Sequence, residues 1–346
     1  MEIYVYTPQG FETGGIELLH QLCHELNNHE DINAYIWHER SVTISETYKQ
    51  YGNNGVVTDL PPKGSILIFP ESWVRKANEP RYKDYQKVIY FESVYYYEAN
   101  IPKDQYLKFP ENTIFMSQSW YAYTWLQEKV GIDSIHVTDY LNDEYMNADL
   151  SKPRKRQIVY NPNKGLMVTK RIMAELPDEK FVPLVNMTVS EVKNLLEESM
   201  LYIDFGNHPG KDRIPREAAM CGCCVMTSRE GSADNDCDVP IYSEYKFYED
   251  FLKQAVKQIK FVLDNYEFCD GDFDSYREMI RGEKALFRYG VKQLVEKLKE
   301  VPMTNEEYKE KLLNLYIELI EKHKSDKAAL KEIDIAFDEP LAEVSE

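Results

Sequence analysis

The sequence predicts an α/β protein made of two doubly wound domains whose strand ends face a central cleft. Three observations lead there. At 346 residues the chain exceeds one ordinary core and suits two domains of about 150–200 residues. Short apolar runs of strand length alternate with helical patterns up to about residue 140, and the alternation restarts at residue 157. Finally, one strand after another hands over to carboxylate, amide or hydroxyl groups at its C-terminal end, the edge where a doubly wound sheet binds ligands.

In chain order, a strand over 2–7 leads into a loop carrying Glu12, Gly14 and Gly15, then a helix over 16–28 with Leu18, Leu19, Leu22 and Leu26 on one face. A glycine pair at a helix start lets another backbone or a ligand approach closely. His20 and His24 share a face of this helix but show no third metal ligand, so that face is read as solvated. Strands follow at 34–38, 65–69, 87–91, 113–116 and 134–137, with a helix over 120–130. The polar groups closing them include Glu71, Glu92, Gln118 and Asp139, which should line one wall of a cleft.

The stretch 151–156 (SKPRKR) breaks the pattern and reads as a solvated interdomain linker, dividing the chain into domains 1–150 and 151–300, followed over 301–346 by a helix near 306–323 expected to cross back onto the first domain and an acidic tail. The second domain opens with a strand over 157–160, then Asn161, Asn163, Lys164 and Gly165, and a helix over 166–176. A strand over 181–185 ends in Asn186 and Met187, and a helix spans 189–199.

The most informative stretch is 200–232. It reads as a strand over 201–205, a polar loop, a short helix over 215–221 with Pro215 in its first turn and Gly222 past its end, and a strand over 223–227. The loop carries His208, Lys211, Asp212 and Arg213, and Arg216 and Glu217 open the helix. Cations beside a helix N-terminus suit a phosphate. A carboxylate one step further in suits a sugar diol, because it accepts two hydroxyl hydrogens.

Pro215-x-Glu217-Ala218-x-x-Cys221-Gly222-x-x-Val225 resembles the donor-site signature of GT-B glycosyltransferases, P-x-x-E-A-x-x-x-G-x-P-V. The Gly14–Gly15 loop after the first strand and Lys164–Gly165 at the next domain's first helix are similar to the same family, in particular to bacterial enzymes that assemble surface polysaccharides. The resemblance implies two Rossmann-like domains and transfer of a sugar from a nucleotide-diphosphate donor to a hydroxyl of a surface glycan or lipid-linked acceptor. It implies that Glu217 binds the donor ribose and that Lys164, Arg213 and Arg216 meet the diphosphate in place of a metal. Asn163, Asn186, Met187, Lys211, Gly14 and Gly15 complete the donor side, with Glu71, Glu92 and Gln118 on the acceptor side. The family's E-x7-E motif has its first Glu where this chain has Pro209, so the groups touching the sugar pass to His208, Lys211 or Asp212. Catalytic candidates are Glu12, Asp212 and His208. A nucleotide-sugar 2-epimerase and a non-catalytic sugar-nucleotide-binding subunit are the alternatives.

Composition sets further bounds. Net charge is −18, which opposes a nucleic-acid partner. The six cysteines form no regular framework, and Cys221, Cys223 and Cys224 straddle a helix end and a strand start, where they read as small packing residues. The acidic segments 234–238 and 270–274 lack the glycine and distal Glu of a calcium loop. Neither metal nor cofactor is expected. No run approaches a membrane span and the chain opens on a strand, so the expectation is a soluble, cytoplasmic protein. The basic cluster at 152–156 is the one feature that could bring it to anionic headgroups at the inner face of the membrane.

Overall fold

A computed structural model describes residues 1–8, 12–40, 43–52, 55–100, 109 and 113–299. The expected helix at 306–323 and the acidic tail beyond it lie outside the described residues. The described chain divides into two compact units, Met1–Tyr140 together with the residues from Lys284 onward, and Leu141–Glu283.

The first unit holds a seven-stranded parallel sheet: β1 (Glu2–Tyr6), β2 (Asn33–Trp37), β3 (Val56–Val57), β4 (Ile66–Pro70), β5 (Gln86–Phe91), β6 (Ile114–Ser117) and β7 (Ile135–His136). Their spatial order is β3-β2-β1-β4-β5-β6-β7. Because the strands are buried on both faces, they read as continuous apolar runs rather than alternating ones. The alternation is instead between two kinds of apolar residue. Ile3, Val5, Ile66, Ile68 and Val88 face a largely aliphatic core, whereas Tyr4, Tyr6, Leu67, Phe69 and Phe91 face an aromatic one. The direction of strand order reverses between β1 and β4, so the loops after these two strands flank the crevice where such sheets bind ligands. Helix α1 (Gly14–Leu26) leaves the first of these loops with Thr13 as its N-cap, whose side chain accepts from the Ile16 amide. Helix α2 (Trp120–Trp125) continues as a π-helical turn through Leu126–Val130.

The second unit holds five parallel strands, β8 (Lys155–Tyr160), β9 (Phe181–Pro183), β10 (Ser199–Asp204), β11 (Cys224–Ser228) and β12 (Lys246–Phe247), ordered β12-β11-β10-β8-β9. The reversal here lies between β8 and β10. The intervening helices are α3 (Leu166–Glu175), α4 (Val189–Glu197), α5 (Arg213–Met220) and α6 (Leu252–Asp264). Thr188 and Glu191 cap α4 reciprocally. Cys221, Cys223 and Cys224 are fully buried and unbridged, in keeping with a packing role.

Helix α7 (Asp274–Leu298) belongs to both units. Phe287, Val291, Leu294 and Val295 complete the aliphatic core of the first unit. Gly290 lies against that unit's β7 end, where an added Cβ would meet the His136 carbonyl oxygen at 2.6 Å. The return to the first unit thus begins before residue 301.

Three local expectations are corrected. The basic segment 151–156 is no solvated linker: Lys152 pairs with Glu197, Lys155 with Glu198, and Arg156 with Glu179 at 2.6 Å. Arg154 donates to the carbonyls of Leu196 and Cys221 at 3.2 and 2.7 Å. Every cation of the cluster is engaged by the second unit, and β8 starts inside it. The α1 histidines are likewise packed rather than solvated. His20 is 2% exposed and stacks on Tyr48 at 4.9 Å, and burial pushes its pKa down to about 4, so it is a neutral core residue. Lastly, α5 starts at Arg213, two residues before Pro215, which places Asp212 at the N-cap. No described helix is long and apolar enough to cross a membrane.

Candidate functional site

In the second unit, the loops after β8 and β10 meet backbone to backbone. Gly165 has φ +58, and a Cβ there would lie 2.4 Å from the Phe205 carbonyl carbon and 2.6 Å from the Gly206 nitrogen. A Cβ on Gly206 would meet Lys164 Cβ at 2.7 Å. Only glycine fits at this contact, and the contact brings Lys164 to the Asp212 carboxylate, with which it pairs.

His208 lies beneath that pair, 1% exposed. Its Nδ1 is 2.6 Å from Asp212 Oδ2, and its Nε2 is 3.3 Å from the Asp204 carbonyl and 3.6 Å from Asp204 Oδ1. Asp204, the last residue of β10, is itself fixed by the Tyr202 hydroxyl, which donates at 3.0 Å, and by the Gly206 amide at 3.3 Å. Burial alone would depress the imidazole pKa, but the two carboxylates outweigh it and raise the value above the ordinary one. Asp212 is held below the usual carboxylate range: burial pushes it up, but His208 and Lys164 together prevail. The stabilisation from a raised histidine is complete below about pH 6.5 and is lost as pH rises through the folded-state value. The wild type should therefore lose unfolding free energy from about pH 6.5 upward. His208→Asn should show a flatter profile over that window, measured by urea melts at a series of pH values. Parallel profiles would mean that His208 carries no charge in the folded state.

Two further loop cations are engaged by a buried carboxylate. Lys211 Nζ is 2.6 Å from Glu283 Oε1, and Arg216 Nη1 is 2.7 Å from Glu283 Oε2, with all three residues at most 4% exposed. Arg216 also donates from Nε to the Asp212 carbonyl at 3.2 Å and from Nη2 to the Lys211 carbonyl at 3.3 Å. These two cations hold the loop in place. Arg213 and Glu217 stand one turn apart on α5, with Nε and Oε1 3.9 Å apart and both side chains only partly buried. Asn163, Asn186 and Met187 are exposed at the ends of β8 and β9, and Asn186 has φ +52.

A second loop pins the first. Ser228 Oγ donates to the Gly206 carbonyl, the Ser232 amide to the His208 carbonyl at 2.8 Å, and Ser232 Oγ to the Gly210 carbonyl at 2.5 Å. Beside it, a cleft of about 210 Å³ is lined by Phe205, Gly206, Asn207, Ser228, Tyr248 and Leu252 among others.

In the first unit the predicted acceptor-side residues do come together. Glu71 follows β4, Glu92 and Ser93 follow β5, Gln118 follows β6 and Asp139 follows β7. Glu71 accepts from the Glu92 amide and the Ser93 hydroxyl, each at 3.0 Å, and Gln118 donates to Asp139 at 2.8 Å. Burial pushes the Glu71 carboxyl up to about 7 against these hydrogen bonds. Burial, then the neighbouring Glu71 and Asp139, hold Glu92 well above the carboxylate range. Gly14 opens α1, and Gly15 lies directly under Glu92: a Cβ at Gly15 would be 2.2 Å from Glu92 Oε2. Glu12, by contrast, is exposed and accepts from the hydroxyls of Ser45 and Thr47. It stands outside this cluster.

Sequence reasoning missed Asp204 and Glu283. A carboxylate ending an otherwise apolar strand was a visible signal for Asp204. Glu283 gave none, being one of several acids in a long amphipathic helix. Among the described residues no group of three or more His, Cys, Asp or Glu is arranged to hold a metal ion.

Two parallel sheets of seven and five strands, each wound with helices, define the GT-B fold. Solved structures of that fold align over most of the chain. HepE from Anabaena, solved in complex with UDP-glucose, is 10% identical and aligns with a TM-score of 0.63 over 86% of this chain and 100% of its own. Sucrose-phosphate synthase from Thermosynechococcus elongatus is 11% identical, with a TM-score of 0.61 over 87% and 100%. A glycosyltransferase from Rickettsia africae is 13% identical, with a TM-score of 0.57 over 94% and 99%. No family model matches the sequence, and no curated protein matches it either.

Proposed function

We propose that the protein is a glycosyltransferase that moves a sugar from a nucleotide-diphosphate donor to a hydroxyl of a glycan or lipid-linked acceptor, without a metal. The observation that carries this reading is the β10–loop–α5 unit. There Glu217 stands one turn into a helix, and Arg213, Lys164 and His208, whose pKa is raised by Asp204 and Asp212, gather around its N-terminus. In this reading Glu217 accepts the ribose hydroxyls. Lys164 and Arg213 stabilise the diphosphate as it leaves, and His208 holds Asp212 in place beneath Lys164, the kind of preorganisation that lowers a barrier without moving at the moment of reaction. The acceptor binds at the strand ends of the first unit. The fold is shared with HepE, whose structure contains UDP-glucose, so UDP and UDP-glucose are the first donors to test.

Isothermal titration should show UDP binding to the second unit's site. Glu217→Ala should weaken it by roughly 1.5–3 kcal/mol, the worth of a hydrogen bond to a charged group, with an unchanged melting profile. Turnover should survive EDTA. Unchanged nucleotide affinity in a folded Glu217→Ala protein would place the donor elsewhere, and loss of turnover in EDTA with rescue by Mg²⁺ or Mn²⁺ would end the metal-free mechanism. Conversion of donor alone to its 2-epimer would replace transfer by epimerisation.

A further inference from the structure

We propose that the cleft beside the β10 loop is a second binding site, for one neutral sugar ring, separate from the nucleotide site. The inference goes beyond the donor reading and stands without it.

The cleft holds about 210 Å³ and lies wholly within the second unit. Strand register shows which face of the sheet it occupies. Ser228 and Phe247 are partners on β11 and β12 and both line it, whereas the preceding partners, Thr227 and Lys246, do not. Successive strand residues point to opposite faces, so the cleft opens on the face covered by α3 and α6. Those helices supply Val168, Leu252 and Ala255 to its wall. Helix α5, which carries Arg213 and Glu217, supplies no lining residue.

The cleft has an apolar floor and a polar mouth. Val168, Phe205, Leu252 and Ala255 are buried or half-buried, while Asn207, Glu230 and Tyr248 are exposed. Tyr248 is held at the mouth between two neighbours and still keeps 50% of its surface open. Its ring lies 6.3 Å from that of Phe251, and the Arg229 guanidinium stands 5.8 Å from its centroid.

Charge decides against an anion. Glu230 and Glu249 both line the cleft, and no lining residue is a lysine or arginine. The neighbouring cations are already paired, Arg171 with Glu249 and Arg229 with Asp234, each at 2.8 Å. A phosphate would meet carboxylates, and like charges brought together weaken binding. A sugar ring matches both parts of the cleft. Its C–H face packs on an aromatic ring or an aliphatic floor, and its hydroxyls donate to Glu230, whose carboxylate accepts two. Asn207 both donates and accepts, and Ser228 Oγ, which donates to the Gly206 carbonyl, keeps acceptor capacity. The volume is below the roughly 300–1,000 Å³ of sites for larger ligands, so it suits one ring and not a chain. Joined to the transferase reading, such a site retains one sugar of a glycan while another part of the same molecule reacts, which raises the local concentration of acceptor.

The test is saturation-transfer NMR on the full chain with glucose, N-acetylglucosamine and glucuronate, first without nucleotide and then with UDP. The two neutral sugars should receive saturation and glucuronate should bind several-fold more weakly. Tyr248→Ala should weaken the neutral sugars by about two- to tenfold, the worth of an aromatic contact. Glu230→Gln should weaken them as well and narrow the discrimination against glucuronate. Both side chains are exposed, so both variants should keep the wild-type melting curve and the wild-type UDP affinity. Undiminished saturation in Tyr248→Ala, glucuronate binding as tightly as glucose, displacement of the sugars by UDP, or no saturation of either neutral sugar overturns the proposal. Absence of UDP binding with the sugar results intact would count against the donor reading alone.

Discussion

Replacing Glu283 by alanine should cost the second unit about 3–5 kcal/mol of unfolding free energy, the usual penalty for removing one partner of a buried ion pair. The reason is what stays behind. Lys211 and Arg216 are 4% and 0% exposed and share the two oxygens of this one carboxylate. Without it, two buried cations lose the carboxylate they share, and the loop they hold loses that anchor. Glu283→Gln should be milder, because an amide oxygen still accepts one hydrogen bond. The triple variant Glu283→Leu, Lys211→Met, Arg216→Met should recover most of the loss, since an apolar replacement of a whole buried network is often neutral or better. Urea unfolding monitored by tryptophan fluorescence and far-UV circular dichroism measures each step. A loss under about 1 kcal/mol for the alanine variant, the range of an exposed pair, would mean that water already reaches the cations.

Gly231→Ala should destabilise by about 2–6 kcal/mol and weaken nucleotide binding with it. Its φ of +59 alone strains any other residue, by roughly 1–3 kcal/mol. The new methyl would sit 1.9 Å from the His208 carbonyl oxygen, so the backbone of one loop must yield, at an overpacking cost of roughly 1–3 kcal/mol. The displaced strand of loop is the one that carries His208 and Asp212, so the damage reaches the charge cluster directly. Nucleotide affinity and unfolding free energy should fall together. Wild-type affinity in a destabilised Gly231→Ala protein would separate the loop from the binding site.

Most of the architecture was readable because buried parallel strands leave a strong mark. Runs such as Ile3–Tyr6, Ile66–Phe69 and Leu201–Ile203 are too apolar and too short to be anything else. The two-residue strands at Val56–Val57 and Lys246–Phe247 were not, since two residues carry no period and Lys246 is buried only through its pairing with Asp236 at 2.6 Å. At the candidate site, Lys164, His208, Asp212 and Glu217 were legible as residue types suited to a nucleotide, and Glu71, Glu92 and Gln118 as one wall. What the sequence hid was which charges satisfy one another. Lys211 and Arg216 look the same in a string of letters as Arg213, and their pairing with the distant Glu283 is not visible there. The same holds for the basic run at 152–156, whose partners Glu179, Glu197 and Glu198 come from elsewhere in the unit.

Helix α7 also sets a schedule for biosynthesis. The aliphatic core of the first unit is closed by Phe287, Val291, Leu294 and Val295, yet the strands they cover end at His136. A ribosome working at roughly 5–20 residues per second needs about 7–30 s to make the stretch between Tyr140 and Lys284. Throughout that interval the nascent first unit shows Leu18, Leu22, Val88 and Met116 to solvent without their final cover. A chaperone that shields apolar surface during translation would have its natural client window there, and a chain released before residue 284 would expose that face permanently.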